Sequence, residues 1–320
     1  MCVIDGYDWL MSKPRTMSLK IESITEQTDG FGDPSEAYSP VGKQKFTFAQ
    51  GGGFFDTQAA GLHAAMMAVQ TGVPVTPAAV PRIGVVGVMG QTVGAVFYGL
   101  GGLFTTIYEV LYQNNKLTKA NVMYAMAGVI EDGMIVQPLA AKTVSWNTKT
   151  LGTPTDYTLD PSQVTIPITS NSIANPTVIT TAVPHKLATG HIVLISGVAT
   201  SSPTINAELA VTVIDATHFS VPVNVTVAGT GGSFVRSNSL NGGAFYQEIT
   251  AMTAAGFVGK IRDSADNTTF ADLATAANAT AAPNAQRITS MADQVVDRWL
   301  SFDGAVTGSG ITAFGGFARF

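Results

Sequence analysis

Between Ile83 and Tyr108 the chain is almost wholly apolar, yet it carries Gly84, Gly87, Gly90, Gly94, Gly99, Gly101 and Gly102. The stretch is long enough for a membrane helix, which needs about 20 apolar residues. Its punctuation points elsewhere. Val86, Val88, Val93 and Phe97 suit strands, and the glycines suit turns or close approach of two backbones. Gln91 and Thr92 interrupt the apolar run at the place where a turn would fall. The pattern predicts a buried β-hairpin and no membrane segment.

The remainder reads as β in the same way. Residues 1–16 read as a loose N-terminal arm, with Met17 as the start of a first β domain, 17–150. Leu19, Ile21 and Ile24 open a strand. Thr28 to Pro40 is rich in Asp, Gly and Pro, and so reads as a loop of turns. Lys45 to Ala49 alternates as a strand does. Asp56 can cap a short flanking helix over Thr57–Val69, whose Leu62, Met66 and Val69 share one face. Gly72 closes that helix, and a Pro-rich connector, Val73 to Pro81, follows it. Asn114-Asn115 signals a turn. Ala120–Ala127 and Met134–Leu139 read as a strand pair around Glu131-Asp132-Gly133.

From Thr150 to about Arg236 Thr, Val, Ser, Pro and Ile dominate and charge nearly disappears. Short strands with turns about every ten residues predict a small immunoglobulin-like β module at 151–237. The last part, 238–320, returns to a β-sandwich segment. Within it Asp263 to Thr268 is a polar turn, preceded by Ile261 and followed by Phe270 and Leu273, which is a strand–turn–strand pattern. Ala271 to Ala285 is Ala-rich and gives no clear element. No fixed-period repeat emerges.

Charged residues make up 12% of the chain, against about 25% in ordinary globular domains. A surface this poor in charge suits a protein that covers part of itself with its own copies. The net charge of −5 and the scatter of the 17 basic residues argue against a nucleic-acid clamp, which needs clustered Lys and Arg. The single cysteine, Cys2, excludes an internal disulfide framework. Residues 1–10 carry Asp5 and Asp8 where a signal peptide needs positive and apolar character.

No reaction centre is legible. His185, His191 and His218, with Asp215, could be imagined around zinc, but they sit where turns and strand edges fall. Asp263, Asp266 and Asp272 could gather on calcium, yet their spacing matches no loop of that kind and suits a solvated turn. Trp146, Trp299 and Tyr246 could stack on a sugar, or fill a core. No Gly-x-Ser-x-Gly elbow is present. Gly99-Leu-Gly-Gly102 and Gly229-Thr-Gly-Gly232 lack the spacing and the following helix of a phosphate cradle. The expectation is a non-enzyme with no catalytic residue, cofactor or metal.

Three blocks resemble the major tail (tail tube) proteins of long-tailed bacteriophages. The first is Thr28-Asp-Gly-Phe-Gly-Asp33 with Gly53-Phe-Phe-Asp56 and Gly61-Leu-His-Ala-Ala65. The second is Lys119-Ala-Asn-Val-Met-Tyr124 with Gly128 and Glu131-Asp-Gly133. The third is Val258 to Leu273 with Arg298-Trp-Leu300 and the ending Gly316-Phe-Ala-Arg319. They cover roughly 1–150 and 238–320. Pro184-His-Lys-Leu-Ala-Thr-Gly190 with Val211-Thr-Val-Ile-Asp-Ala-Thr-His-Phe219 is similar to a small β module found across phage structural proteins, and departs from a plain tail protein.

The resemblance implies a mainly β, tail-tube-like sandwich with a flanking short helix and an inserted Ig-like module. It implies a virion protein of the phage tail, assembled in the host cytoplasm. Six copies would form a ring, and stacked rings a tube that passes phage DNA without binding it specifically. Other tail proteins would be partners, and the outward insert would meet host-surface glycans. The expected inter-subunit contacts are Asp29, Phe31, Asp33, Pro34, Tyr38 and Pro40 in the loop, with the arm before Met17. A capsid decoration protein and a carbohydrate-binding β-sandwich module stay open as alternatives.

Overall fold

The computed structural model describes residues 1–8, 16–27, 38–54, 66, 82–87, 90–126, 128, 130–149, 165–265, 267–290, 294–297 and 299–320. Every element among them is a strand. In chain order the first nine are β1 (Cys2–Ile4), β2 (Tyr7–Asp8), β3 (Thr16–Gln27), β4 (Tyr38–Phe54), β5 (Arg82–Gly87), β6 (Val96–Leu111), β7 (Lys119–Met126), β8 (Ile130–Lys142) and β9 (Trp146–Lys149). Seven short ones follow: β10 (Ile166–Asn171), β11 (Thr177–Thr181), β12 (Ile192–Ser196), β13 (Glu208–Ala210), β14 (Thr212–Val213), β15 (His218–Val221) and β16 (Ser233–Arg236). The last six are β17 (Gly243–Met252), β18 (Gly256–Ser264), β19 (Ala271–Thr275), β20 (Asn284–Thr289), β21 (Trp299–Thr307) and β22 (Ile311–Arg319).

The glycine-rich apolar stretch forms the antiparallel pair β5–β6, as its pattern predicts. Around it grows a large sheet in the order β2-β1-β5-β6-β8-β22-β17-β20. This sheet rolls until β1 and β2 lie against β17, and β5 lies against β20. One cluster therefore unites residues from distant strands on the inner face: Val3, Val85, Phe97, Ile135, Ala244, Tyr246 and Phe314. Rolling brings rings down onto backbones. A Cβ on Gly99 would sit 2.5 Å from the Tyr246 ring, and one on Gly133 or Gly316 would sit 2.5 Å from the Phe97 ring. The glycines leave room for these rings, and the rings shield backbone that lacks its own side chain.

A second sheet, β19-β18-β21-β9, packs on the outer face of the β8-β22-β17-β20 part. Phe245, Ile249 and Phe317 meet Phe257, Ile261, Leu300 and Phe302 between the layers. Trp146 stacks on Phe257 with centroids 5.5 Å apart, and its indole N–H donates to Gln137 Oε1 at 2.7 Å. The polar turn beginning at Asp263 does join two antiparallel strands, β18 and β19. The Ala-rich stretch after it supplies β19, an irregular crossing, and the start of β20.

Among the described residues, strands β10 to β16 pair only among themselves, in the order β13-β12-β16-β10-β11-β15-β14. A register shift between Ile168 and Ser170 lets β10 serve two half-sheets. Ile179, Val193, Ile195, Phe219 and Phe234 fill the space between them.

Several expectations are corrected. Residues 1–8 are no loose arm: Cys2, Val3 and Ile4 are buried, and β1 is an internal strand between β2 and β5. Val3 faces the roll interior while Cys2 and Ile4 face the cluster of Phe48 and Tyr124, an alternation too short to read as a strand from sequence. Glu131-Asp-Gly133 makes no turn. β7 and β8 run in line along β6, which pairs Leu103 with Met126 and then Leu100 with Ile130. The break between them holds Gly128, pressed onto the Gly101 carbonyl, where a Cβ would collide. The flanking helix expected over Thr57–Val69 and the connector 73–81 lie outside the described residues, apart from Met66, which is buried with Phe48 and Tyr124. Asn115 takes φ +58° in the expected turn, a conformation Asn tolerates.

The seam of the roll contains a buried acid. Glu248 Oε2 accepts the Gly6 N–H at 2.7 Å, and its Oε1 has no partner among the described residues. Burial, then the nearby Asp5 charge, push its pKa well up, while the Gly6 N–H works against them. Gly6 itself has φ +77° and no room for a Cβ beside Asn284 and Ile249.

Two outcomes are expected. Gly99→Ala pushes a methyl into the Tyr246 ring and lowers stability by about 1–3 kcal/mol, the usual cost of overpacking; an unchanged urea midpoint would mean the ring yields freely. Glu248, with its folded pKa raised, contributes stability that is full below the ordinary glutamate value of 4.5 and declines as pH rises above it. Glu248→Gln removes that decline, so its stability profile from pH 4.5 upward is flatter than the parent's in chemical denaturation.

Candidate assembly surface

A side branch of the large sheet forms a projecting arm. β3 pairs with β4, β4 with β7, and β7 with the distal half of β6. One face of this arm is core. Phe48 and Tyr124 are buried and stacked with centroids 6.1 Å apart, and Leu19 and Val122 pack beside them. Alternation sends the next residues to the opposite face. There Ile107 and Met123 stand directly opposite each other and are exposed by 49% and 36%. Leu111 lies on the same face further out, and Tyr112 and Leu117 are exposed in the tip loop.

Among the described residues, polar contacts on this face are few. Asn121 donates to Glu109 at 3.0 Å and accepts the Gly52 N–H at 2.9 Å. Lys20 and Glu22 form an exposed ion pair at 2.6 Å on β3, which holds the Glu22 carboxyl below its ordinary range. Such pairs contribute little to stability. Among the described residues β3 pairs on one side only, so its 12 residues form a long edge with Ile21 exposed. Long edges of this kind are templates for another strand.

Of the expected contact residues, Tyr38 and Pro40 lie in β4, opposite Gln27 and Thr25 of β3. The expected loop is therefore shorter than its composition suggested, because Pro40 sits within the hairpin strand. Asp29, Phe31, Asp33 and Pro34 lie outside the described residues, as do residues 9–15 of the expected arm. Sequence reading missed the Ile107–Met123 face. Its signal was present in Ile107-Tyr-Glu-Val-Leu-Tyr112, which is apolar at both odd and even positions. A strand apolar on both faces needs cover on both.

The other chemically suggestive residues are accounted for locally. His185 is buried, accepts the Leu187 N–H at Nδ1 and points Nε2 at the Asp215 carbonyl, 2.7 Å away. His191 accepts the Ala188 N–H, and burial, aided by Arg236, pulls its pKa down to about 4. Asp215 caps its own turn by accepting the Thr217 and His218 N–H groups, and the Thr217 bond, then the His218 ring, lower its pKa to about 2. Asp263 accepts the Asp297 N–H, and Asp272 pairs with Lys260 and Arg262. Asp266 lies outside the described residues. No group of three or more His, Cys, Asp or Glu among the described residues could hold a metal ion.

Tyr246 is buried inside the roll. Its hydroxyl donates to Glu131 Oε2 at 2.6 Å, and Arg287 pairs with the same carboxylate. Burial, then the Glu131 charge, raise the Tyr246 pKa, and the Glu131 bond raises that of Arg287. This network joins three strands and is closed on itself, so it has the form of a structural tie.

No family model and no curated protein matches the chain. Among solved structures it is similar to a chain in the virion of a native gene transfer agent particle, at 11% identity and TM-score 0.27, over 37% of this chain and 83% of that one. It is similar also to a chain in the tail of an empty gene transfer agent particle with C6 symmetry, at 10% identity and TM-score 0.27, over 37% of this chain and 79% of that one. A likeness of this size assigns the chain no role.

The arm face gives a direct expectation. Ile107→Lys with Met123→Lys changes stability by no more than about 0.5 kcal/mol, as exposed substitutions usually do, but weakens self-association. Light scattering across a concentration series reads this, and an unchanged oligomer mass would remove the face from the interface.

Proposed function

We propose that the chain is a structural protein of a phage-type virion. In the finer reading it is a tail tube subunit that closes into six-membered rings and stacks them for DNA passage. One observation carries the proposal: the arm β3-β4-β7-β6 presents an apolar face and a long strand edge in a chain with little charge. A head-to-tail contact repeated with a closing rotation makes a ring, and stacking extends it. The arms supply strand edges for such a contact. Of the blocks resembling tail tube proteins, Gly53-Phe54 and Lys119–Tyr124 fall on this arm, Glu131–Gly133 on β8, and the last block on β18, β19, β21 and β22, while Thr28–Asp33 and Gly61–Ala65 lie outside the described residues. The strands 166–236 are the proposed insert, because β8 and β17 on either side of it both pair with β22. The proposed role is assembly without catalysis, with other tail proteins as neighbours.

Negative-stain microscopy of the purified protein tests this. Six-fold rings or tubes are expected. Monomers that bind only capsids, or monomers that bind a glycan array, would replace the reading with a decoration protein or a carbohydrate-binding module respectively.

A further inference from the structure

The return from the small β unit to the large sheet passes through Ser237, Asn238 and Ser239, all buried. A connector between independently moving units is normally solvated and polar, with few contacts across it. These three residues are bonded in both directions. Toward the small unit, the Ser237 N–H donates to the Ile192 carbonyl at 2.7 Å and its hydroxyl to Glu208 at 3.1 Å. Asn238 Oδ1 accepts the Ile192 N–H at 2.8 Å. Toward the large sheets, Ser239 and Val296 exchange both backbone bonds, at 3.1 and 2.9 Å.

Arg319, next to the last residue, closes the arrangement. Its guanidinium donates to the Ser239 hydroxyl at 3.2 Å, the Val296 carbonyl at 2.9 Å and the Asp297 carbonyl at 2.7 Å. Asp297 is held in turn by Asp263 at 2.8 Å. A planar fork that satisfies three acceptors fixes their relative positions in a way a single point charge cannot. Because Ser237, Asn238, Ser239 and Val296 are buried, a bond lost at any of them leaves a desolvated polar atom.

We infer that Ser237, Asn238 and Ser239, locked by Arg319, form a clasp that holds the 166–236 unit in one orientation on the sheets of 243–320. Arg319 is a positioning residue: it touches the connector, and through it sets the direction in which the small unit points. The inference is independent of the assembly reading.

Spin labels at Asn224→Cys and Ala255→Cys, in a Cys2→Ala background diluted with unlabelled protein, report the intramolecular distance. The parent gives one narrow distribution. Asn238→Ala and Arg319→Ala broaden it while the far-ultraviolet circular dichroism stays unchanged. A broad distribution in the parent, or a narrow one that survives both substitutions, overturns the clasp. Should Arg319→Ala fail to fold, Arg319→Lys, which keeps the charge and loses the fork, decides in the same way.

Discussion

The structure depends on aromatic rings lying against glycine backbone. Tyr246 covers Gly99, Phe97 covers Gly133 and Gly316, Phe302 covers Gly315 and Trp146 covers Gly304. Each contact spans neighbouring or facing strands, so each sets the spacing and curvature of the sheet at its position. A flat sheet could not bring Phe97 close to both Tyr246 and Phe314, with centroids at 5.7 and 5.5 Å. Rings of this size bury about 150–250 Å² each, and truncating one in a core costs about 3–5 kcal/mol. The glycine content is therefore a packing requirement of the roll. It also explains how a chain so rich in glycine can hold a dense interior.

Inside that roll the polar groups are few and arranged in two ways. Glu131, Tyr246 and Arg287 satisfy one another across β8, β17 and β20. Breaking such a network leaves a buried charge alone, which is far more costly than the network is stabilising. Glu248 has one backbone donor, Gly6, and burial with the nearby Asp5 charge favours its neutral form. The first ties three strands together. The second makes the seam between β1–β2 and β17 sensitive to pH. The arm outside the roll is held by the Phe48–Tyr124 face and its backbone ladders.

Much of the β character was legible because it rests on alternation and on turn residues. Lys45 to Ala49, the Asn114-Asn115 turn and the hairpin around Asp263 to Thr268 all fall where their local chemistry places them. The mainly β class follows from the same signals. What the sequence hid depends on distant partners. β1 has three residues and becomes a strand only because β5 is there to receive it. Glu131-Asp-Gly133 looks like a turn, yet it is extended because Phe97 fills the space over Gly133. Glu131 and Arg287 are 156 residues apart, beyond any local pattern. The exposed Ile107–Met123 pair was hidden for another reason. Apolar side chains read as core, and only the arrangement of β3, β4 and β7 shows which of them face out.

The in-line arrangement of β7 and β8 has a mechanical consequence. Together they form one long ladder with β6, from the arm tip into the middle of the rolled sheet. Backbone bonds in such a ladder lie across the strand direction. A pull on the arm along its axis therefore loads in shear the ladders that tie β6 to β5 and β8 to β22, with many bonds resisting at once. Tension reaches β22 through β8, and the core between the two stacked sheets through β22. The arm is thus a tendon continuous with the body, and force applied at its tip is spread before it can unzip any one strand.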